Sequence, residues 1–230
     1  MHGLRGHIAI LVGVAFLALH AAPARAQLAV SAALDSDYRF RGLSLSQGQP
    51  DLRLNLSFDD KSGAYGGVTL VTSRAYEGKG GMTGEIAYAG YVSPKKGGLA
   101  WEAGAVHSHF DTQDTYDYSE VYGGVLGDHF SARVAWSPRY YGRHMQTLYS
   151  EFNTGQRLSE HVRLFEHVGA LTPMTSRWRR ERYDLSAGVA MTLKHYELRA
   201  AWTQTSPSYA YPQHTPNGGD TVVVSVTCYF

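Results

Sequence analysis

Arginines and carboxylates recur at alternate positions along several segments of this 230-residue chain. In an extended strand, alternate side chains share one face, so these charges would line one side of a sheet. If such strands close around water, charges of both signs on the inner wall select the solutes that pass. The pore-lining candidates are Asp37, Arg39, Arg41, Arg53, Glu85, Glu102, Arg133, Arg163, Asp184, Glu197 and Arg199. The alternative is that the same residues form salt bridges that fill and stiffen a narrow barrel.

The faces opposite these charges are apolar, most clearly at the end of the chain. Val222, Val224, Val226, Cys228 and Phe230 alternate there with mostly polar residues. Soluble proteins rarely end on a fully apolar strand face. The last strand of an outer-membrane barrel commonly does, because it faces lipid and pairs with the first strand. We therefore predict an all-β chain that forms a transmembrane, antiparallel, up-and-down β-barrel.

The repeated alternation predicts about twelve strands. They cover 28–40, 52–59, 65–72, 83–92, 99–105, 118–126, 130–137, 147–157, 162–171, 183–193, 196–203 and 221–230. Alternation is weakest in the sixth, eighth and ninth segments. Tight connections alternate with longer ones, as periplasmic turns and extracellular loops do in outer-membrane barrels. Ten or fourteen strands are the alternatives.

The first 26 residues have the features of a secretory signal. Arg5 supplies a positive end, residues 8–19 are largely apolar, and Ala24 and Ala26 form a small-x-small cleavage site before Gln27. A single uncleaved membrane anchor is the alternative. The sequence therefore predicts cleavage between Ala26 and Gln27, a barrel domain over 27–230, and a location in the bacterial outer membrane.

A soluble barrel with an apolar interior is the competing fold. It would expose the charged faces, and twelve long strands would enclose more space than the side chains could fill. Trp101, Trp136 and Trp202 fall near predicted strand ends, as in the aromatic girdles of membrane barrels. The net charge is +1, and no basic run rises above this near-neutral background, so we expect no nucleic-acid partner.

Enzymatic interpretations lack the required groups. His107 and His109 share one strand face, but no third ligand or acidic partner is fixed by spacing, and this face is predicted to meet lipid. Residues 42–46 lack the second glycine and the strand-to-helix context of a nucleophile elbow. We therefore expect no enzyme, no metal site and no cofactor.

A basic, aromatic patch occurs in one of the long loops. It consists of Arg177, Arg179, Arg180 and Arg182 with Trp178. Guanidinium groups hold phosphates by paired hydrogen bonds, so this patch predicts contact with lipopolysaccharide. A solvated loop is the alternative.

Residues 36–42 (SDYRFRG), followed by Ser44 and a loop that ends at Pro50, resemble the amino-terminal signature of the TorF family of porins. The resemblance continues through 62–67, 84–91, 118–122 and 137–142, and so covers most of the mature chain. Residues 71–73 and the loop 111–117 depart from the family pattern. The resemblance implies an outer-membrane barrel. Within the signature, Arg39 and Arg41 are the first candidates for wall residues that attract anions.

Together these features predict a porin-like channel for passive diffusion of small hydrophilic solutes or ions. Its partners would be outer-membrane lipid, lipopolysaccharide and the barrel-assembly machinery, the last through the strand that ends at Phe230. The alternative is a closed barrel with a structural or surface-binding role through its extracellular loops.

Overall fold

A computed structural model of the chain describes residues 26–74, 81–111, 117–140, 145–175, 181–206 and 219–230. Within this part, twelve strands form one closed antiparallel barrel, and two short strands form a separate hairpin. The barrel strands are β1 (Ala26–Asp35), β4 (Asp51–Asp60), β5 (Ala64–Arg74), β6 (Gly81–Val92), β7 (Ala100–Phe110), β8 (Tyr118–Leu126), β9 (Phe130–Ser137), β10 (Thr147–Arg157), β11 (Val162–Pro173), β12 (Arg182–Leu193), β13 (Tyr196–Thr205) and β14 (Asp220–Tyr229). The hairpin strands are β2 (Arg39–Phe40) and β3 (Leu43–Ser44).

The barrel closes between its first and last strands, as the apolar terminal strand predicts. Ala32 lies opposite Cys228, and the Phe230 amide donates to the carbonyl of Val30 at 3.0 Å. Consecutive barrel strands are joined by short turns at one end, such as 61–63 and 194–195. We call this the turn end, and the opposite end the loop end. The predicted strand number and turn pattern are confirmed.

The outer wall is predominantly apolar. Leu52, Leu54 and Phe58 on β4 are exposed, and Val222 on β14 is 62% exposed. Trp101 lies on the outer wall at the turn end, and Trp136 lies near the loop end. The competing soluble barrel is wrong because its apolar side chains would point inward. In the described ranges, no helix has the length and apolar character needed to cross a membrane.

The first strand ends earlier than the alternation predicts. β1 stops at Asp35, and residues 36–50 fold into the barrel as a segment that we call the inner loop. Tyr38 is buried, and the ring of Phe40 packs 6.0 Å from that of Tyr118 on β8. Alternation over the predicted strand 28–40 would put Tyr38 and Phe40 on the lipid-facing side with Leu28, and this prediction is wrong. The chain reverses because the turn residues Arg41 and Gly42 have φ values of 49° and 75°, as a two-residue hairpin turn requires.

The predicted faces of residues 83–92 are reversed. Glu85 is exposed on the outer wall, opposite His109 of β7, whereas Ile86 and Tyr88 line the lumen. Glu85 is therefore not a pore-lining residue. The alternation rule places apolar and aromatic side chains outside, and it fails on this strand because Tyr88 belongs to the inner wall, although Tyr91 is exposed on the outer wall.

Candidate functional site

The inner loop is organised by the carboxylate of Asp37. Its Oδ1 accepts hydrogen bonds from the hydroxyls of Ser44 (2.5 Å) and Ser46 (2.9 Å) and from the Gly48 amide (3.2 Å). Its Oδ2 accepts from Nε of Arg39 at 2.6 Å. Short polar side chains that bond nearby backbone stabilise turns in this way. The charges of Asp37 and Arg39 therefore pair with each other within the loop.

Arg41 fixes the tip of the inner loop to the opposite wall. Its two terminal nitrogens donate to the two carboxylate oxygens of Glu120 on β8, at 2.7 and 2.6 Å. Its guanidinium also lies 3.8 Å from the ring centroid of Tyr149 on β10. Bidentate pairing and stacking on an aromatic ring are the two contacts that a planar guanidinium makes best. The Arg41–Glu120 pair thus spans the lumen.

Gly42 lets the tip of the inner loop pack closely against strands β12 and β13. A Cβ at this position would overlap Oγ1 of Thr205 on β13 and would lie 2.7 Å from Cβ of Asp184 on β12. Both the positive φ and the close approach require glycine. The inner loop is therefore held on several sides, and it narrows the lumen near the loop end.

A cavity of about 530 Å³ lies beside the inner loop within the lumen. Its lining combines aromatic hydroxyls with charges of both signs: Tyr65, Tyr88, Tyr118, Tyr122, Tyr149, Arg39, Arg41, Arg133, Glu120, Glu151, Asp184 and His167. A cavity of this volume is large enough for a small ligand. It is the candidate functional site.

The tyrosines lie against the inner wall because glycines on neighbouring strands leave room for them. A Cβ at Gly90 of β6 would lie 2.5 Å from the hydroxyl of Tyr65 on β5. A Cβ at Gly67 of β5 would lie 2.6 Å from the hydroxyl of Tyr88 on β6. Glycine in a strand often marks such a close approach. Each of the two strands thus provides a glycine that accommodates a tyrosine of the other strand, and this keeps the aromatic rings out of the centre of the lumen.

One side of the cavity carries a hydrogen-bonded histidine. Nε2 of His167 lies 2.8 Å from Oδ1 of Asp184, and its Nδ1 lies 2.6 Å from Oδ1 of Asn153. The hydroxyl of Tyr149 donates to Asp184 at 3.0 Å. These contacts fix the ring of His167 between strands β10 and β12.

The predicted lumen arginines on the strands are paired with carboxylates. Arg53 donates to Asp35 at 2.6 Å, Arg133 donates to Glu102 at 2.8 and 3.0 Å, and Arg163 donates to Glu197 at 3.0 and 3.1 Å. Nε of Arg199 lies 3.9 Å from Glu197. The structure thus places Arg53, Glu102, Arg133, Arg163, Asp184, Glu197 and Arg199 inside the barrel.

The other sequence candidates fall elsewhere. Arg177, Arg179 and Arg180 lie outside the described residues, so their predicted contact with lipopolysaccharide stays a prediction. Arg182 is the first residue of β12 and is buried on the same strand face as Asp184, so it lies within the barrel and not on an outer loop.

The two histidines lie on the outer wall, as their spacing predicts. His107 lies 2.9 Å from the hydroxyl of Ser119, and His109 lies 2.7 Å from Oδ2 of Asp117. Among the described side chains, no group of three or more metal-ligating residues comes together.

Sequence reasoning missed Glu120, Glu151 and His167. All three lie on strands in which the alternation is weak, because glycines and tyrosines occupy inward positions that the rule reserves for polar residues. A pattern of tyrosine on one strand and glycine on its neighbour is the signal that could have assigned these faces.

A model of the family described as "Bacterial protein of unknown function (Gcw_chp)" matches residues 20–230. No match was found among curated proteins. The solved structure of the NanC porin is 8% identical, with a TM-score of 0.63, and the match covers 88% of this chain and 99% of NanC. The KdgM porin is 11% identical, with a TM-score of 0.58 and coverage of 89% and 99%. A structure of KdgM in complex with disordered oligogalacturonate is 10% identical, with a TM-score of 0.57 and the same coverage. At these identities the similarity establishes the fold.

Proposed function

The chain belongs to the Gcw_chp family of bacterial proteins, and we propose that it is an outer-membrane, porin-like channel for passive diffusion of small hydrophilic solutes. The observation that carries the proposal is a mostly apolar outer wall around a cavity of about 530 Å³ whose lining includes charged and hydroxyl-bearing side chains. An apolar exterior suits lipid, and a polar lumen suits water and dissolved solutes. No energy source or cofactor is needed for diffusion down a gradient.

The comparisons support this proposal through the fold. NanC and KdgM are porins whose barrels match this one over nearly their whole length. The signature at 36–42, which resembles the TorF porins, agrees with the same function. We also propose that the chain is exported with cleavage between Ala26 and Gln27 and is assembled into the outer membrane through the strand that ends at Phe230. Arg177, Arg179 and Arg180 would then contact lipopolysaccharide.

The inner loop limits which solutes could pass. It crosses the lumen to reach β8, β12 and β13, so the free cross-section near the loop end is smaller than that of the barrel. Solute size is the first property on which such a constriction selects. We therefore restrict the proposal to small solutes.

A closed barrel is the second candidate, and the Arg41–Glu120 pair favours it. A buried bidentate pair that spans the lumen could hold the inner loop as a permanent plug. The protein would then act through its outer loops, without transport.

Single-channel recording of the refolded mature protein in a planar bilayer distinguishes the two candidates. The channel proposal predicts discrete conductance steps, altered by Arg39→Ala and by Arg41→Ala because both residues hold the constriction. A correctly folded, heat-modifiable barrel that never conducts would reject the channel and favour the plugged barrel.

A further inference from the structure

Several arginines of the lumen already donate to a carboxylate at short distance. For Arg39, Arg41, Arg53 and Arg133, the nitrogen–oxygen distance is 2.6–2.8 Å. Arg182 is buried, so a solute does not reach it. Anion recognition by arginine depends on guanidinium donors that are free to take the ligand. These five arginines therefore offer few donors to a passing anion.

Arg199 on β13 differs from them. Its Nε lies 3.9 Å from Oε1 of Glu197, beyond hydrogen-bond distance, and both oxygens of Glu197 already accept from Arg163 at 3.0 and 3.1 Å. Within the described part of the chain, no residue accepts a hydrogen bond from the Arg199 guanidinium, although the side chain is 40% exposed. Its two terminal nitrogens, which form the fork that fits a carboxylate, are therefore open to a solute.

The ring of Phe165 holds this guanidinium in place. Phe165 on β11 is buried, and its ring lies against Gly188 of β12, where an added Cβ would come within 2.7 Å of it. The central carbon of the Arg199 guanidinium lies 4.2 Å from the ring centroid. An aromatic ring covers one face of a planar guanidinium and leaves the N–H groups along its edge accessible. The donors of Arg199 are thus positioned before a solute arrives.

The surroundings of Arg199 carry one excess positive charge. The charges that act most strongly on it belong to two arginines and two carboxylates: Glu197, Arg163, Arg53 and Asp35. With Arg199 itself, three cations therefore face two anions. The next charges on this wall cancel each other, since Asp51 is negative and Arg157 is positive; Asp51 is also buried, whereas Arg157 is exposed. A charge on a narrow wall of low dielectric constant attracts its counter-ion more strongly than a charge in open water.

We infer that the turn end of the lumen contains a subsite for the carboxylate of small organic anions, and that Arg199 is its specificity-determining residue. The inference rests on the proposed channel function and names a solute class for it. It assigns to Arg199 the attraction of anions that the sequence predicted for Arg39 and Arg41.

Single-channel recording in KCl tests the inference with potassium gluconate and sorbitol. These are acyclic six-carbon solutes of nearly equal size, and they differ in one carboxylate. Gluconate bound at the subsite should hinder the chloride current, because both anions use the same donors. We expect gluconate to halve the current at a concentration about tenfold lower than sorbitol does, since a guanidinium fork binds a carboxylate by paired, charge-assisted hydrogen bonds.

Two substitutions of Arg199 separate its charge from its shape. Arg199→Gln removes both, so gluconate should act no more strongly than sorbitol, and the chloride-to-potassium permeability ratio from the reversal potential should fall about twofold. Arg199→Lys keeps the charge as a point and loses the fork. It should keep the permeability ratio of the wild type, while the half-blocking concentration of gluconate rises about threefold.

Lys96→Gln is the matched control. Lys96 lies in the exposed turn between β6 and β7, also at the turn end but outside the lumen. The variant loses the same charge as Arg199→Gln and should keep the gluconate effect and the permeability ratio of the wild type. Heat-modifiable migration on a gel verifies that every variant is folded.

The outcomes separate the inference from the function on which it rests. A folded wild-type barrel that never conducts rejects the channel itself. A conducting wild type in which gluconate and sorbitol act equally keeps the channel and overturns the carboxylate subsite. A strong gluconate effect that persists in Arg199→Gln, or that is lost equally in Lys96→Gln, overturns the role of Arg199.

Discussion

The same chemical pair, arginine with glutamate, occurs in this barrel at two levels with different surroundings. Near the loop end, the side chains of Arg41 and Glu120 are 9% and 3% exposed. Near the turn end, Arg163 and Arg199 are 41% and 40% exposed beside Glu197. The buried pair positions a segment of chain across the lumen, whereas at the turn end the two arginines face water although the side chain of Glu197 is only 11% exposed. Burial, more than residue type, therefore decides which lumen arginine is structural.

The energetic consequence follows from solvation. Removing one member of a buried pair leaves the other charge without water or partner, at a cost of about 3–5 kcal/mol. An exposed pair contributes about 0–1 kcal/mol, because water solvates each charge when the partner is lost. Substitutions at the two levels should therefore have unequal effects.

The largest effect is expected for Glu120→Gln. The change leaves the buried Arg41 guanidinium without its counter-charge, so the free energy of unfolding should fall by about 3 kcal/mol. Equilibrium urea unfolding in lipid vesicles measures it. A loss below about 1 kcal/mol would show that the pair is no more important than an exposed one.

Gly42→Ala should displace the tip of the inner loop. The added methyl group would overlap Oγ1 of Thr205, and the residue also needs a φ of +75°. We expect a lower melting temperature and larger conductance steps than in the wild type. Gly48→Ala is the control, because Gly48 has a φ of +69° but no atom within 4 Å of the added carbon. If both variants had the same melting temperature and the same conductance, the effect would come from backbone strain alone and not from the contact of Gly42 with Thr205 on β13.

A smaller effect is expected for Glu197→Gln at the turn end. Arg163 and Arg199 would lose a neighbouring carboxylate but remain in contact with water. Urea unfolding should show a loss of less than about 1 kcal/mol. If the free energy of unfolding fell as much as in Glu120→Gln, the buried pair at the loop end would be no more important for stability than the group at the turn end.

The smallest effect concerns the exposed turn pair of Lys95 and Asp128. The hydrogen bond and charge of Lys95 hold the pKa of Asp128 below its ordinary value of 3.8. A carboxyl whose pKa is lowered by folding stabilises the fold above its unfolded pKa, and this contribution is lost as the pH falls through the folded pKa. The melting temperatures of wild type and Asp128→Asn should differ slightly at pH 6 and converge once the pH has fallen through the lowered pKa of Asp128. A difference that grows on acidification would contradict this sign.

Alternation predicted most of the outer wall because side chains that face lipid are predominantly apolar. Val222, Val224 and Val226 show this on β14, and the strand number and turn pattern followed from the same rule. The rule failed at 36–40, where the residues continue to alternate although the chain turns inward at Asp35. Gly42 is the only residue of the turn that signals the change, since the position of Arg41 lacks the asparagine or aspartate common in such hairpins.

The candidate site was predictable only in part. The positions of Arg53, Arg133 and Arg163 inside the barrel follow from their own strands. Their partners do not, because each pair joins different strands, and Arg41 and Glu120 are 79 positions apart in sequence. Long-range contacts of this kind depend on the closed barrel and on the path of the inner loop. For that reason, an arginine expected to attract anions proves to be occupied by a carboxylate.

The central claim is that the lumen conducts and that the inner loop sets its width. Single-channel conductance of a variant in which residues 39–44 are replaced by two glycines tests it most directly. The backbone bond from the Leu45 amide to the Tyr38 carbonyl, at 2.8 Å, marks a base across which the shortened turn can close. The account predicts discrete steps in the wild type and larger steps in the shortened variant. Steps of the same size in both would contradict it.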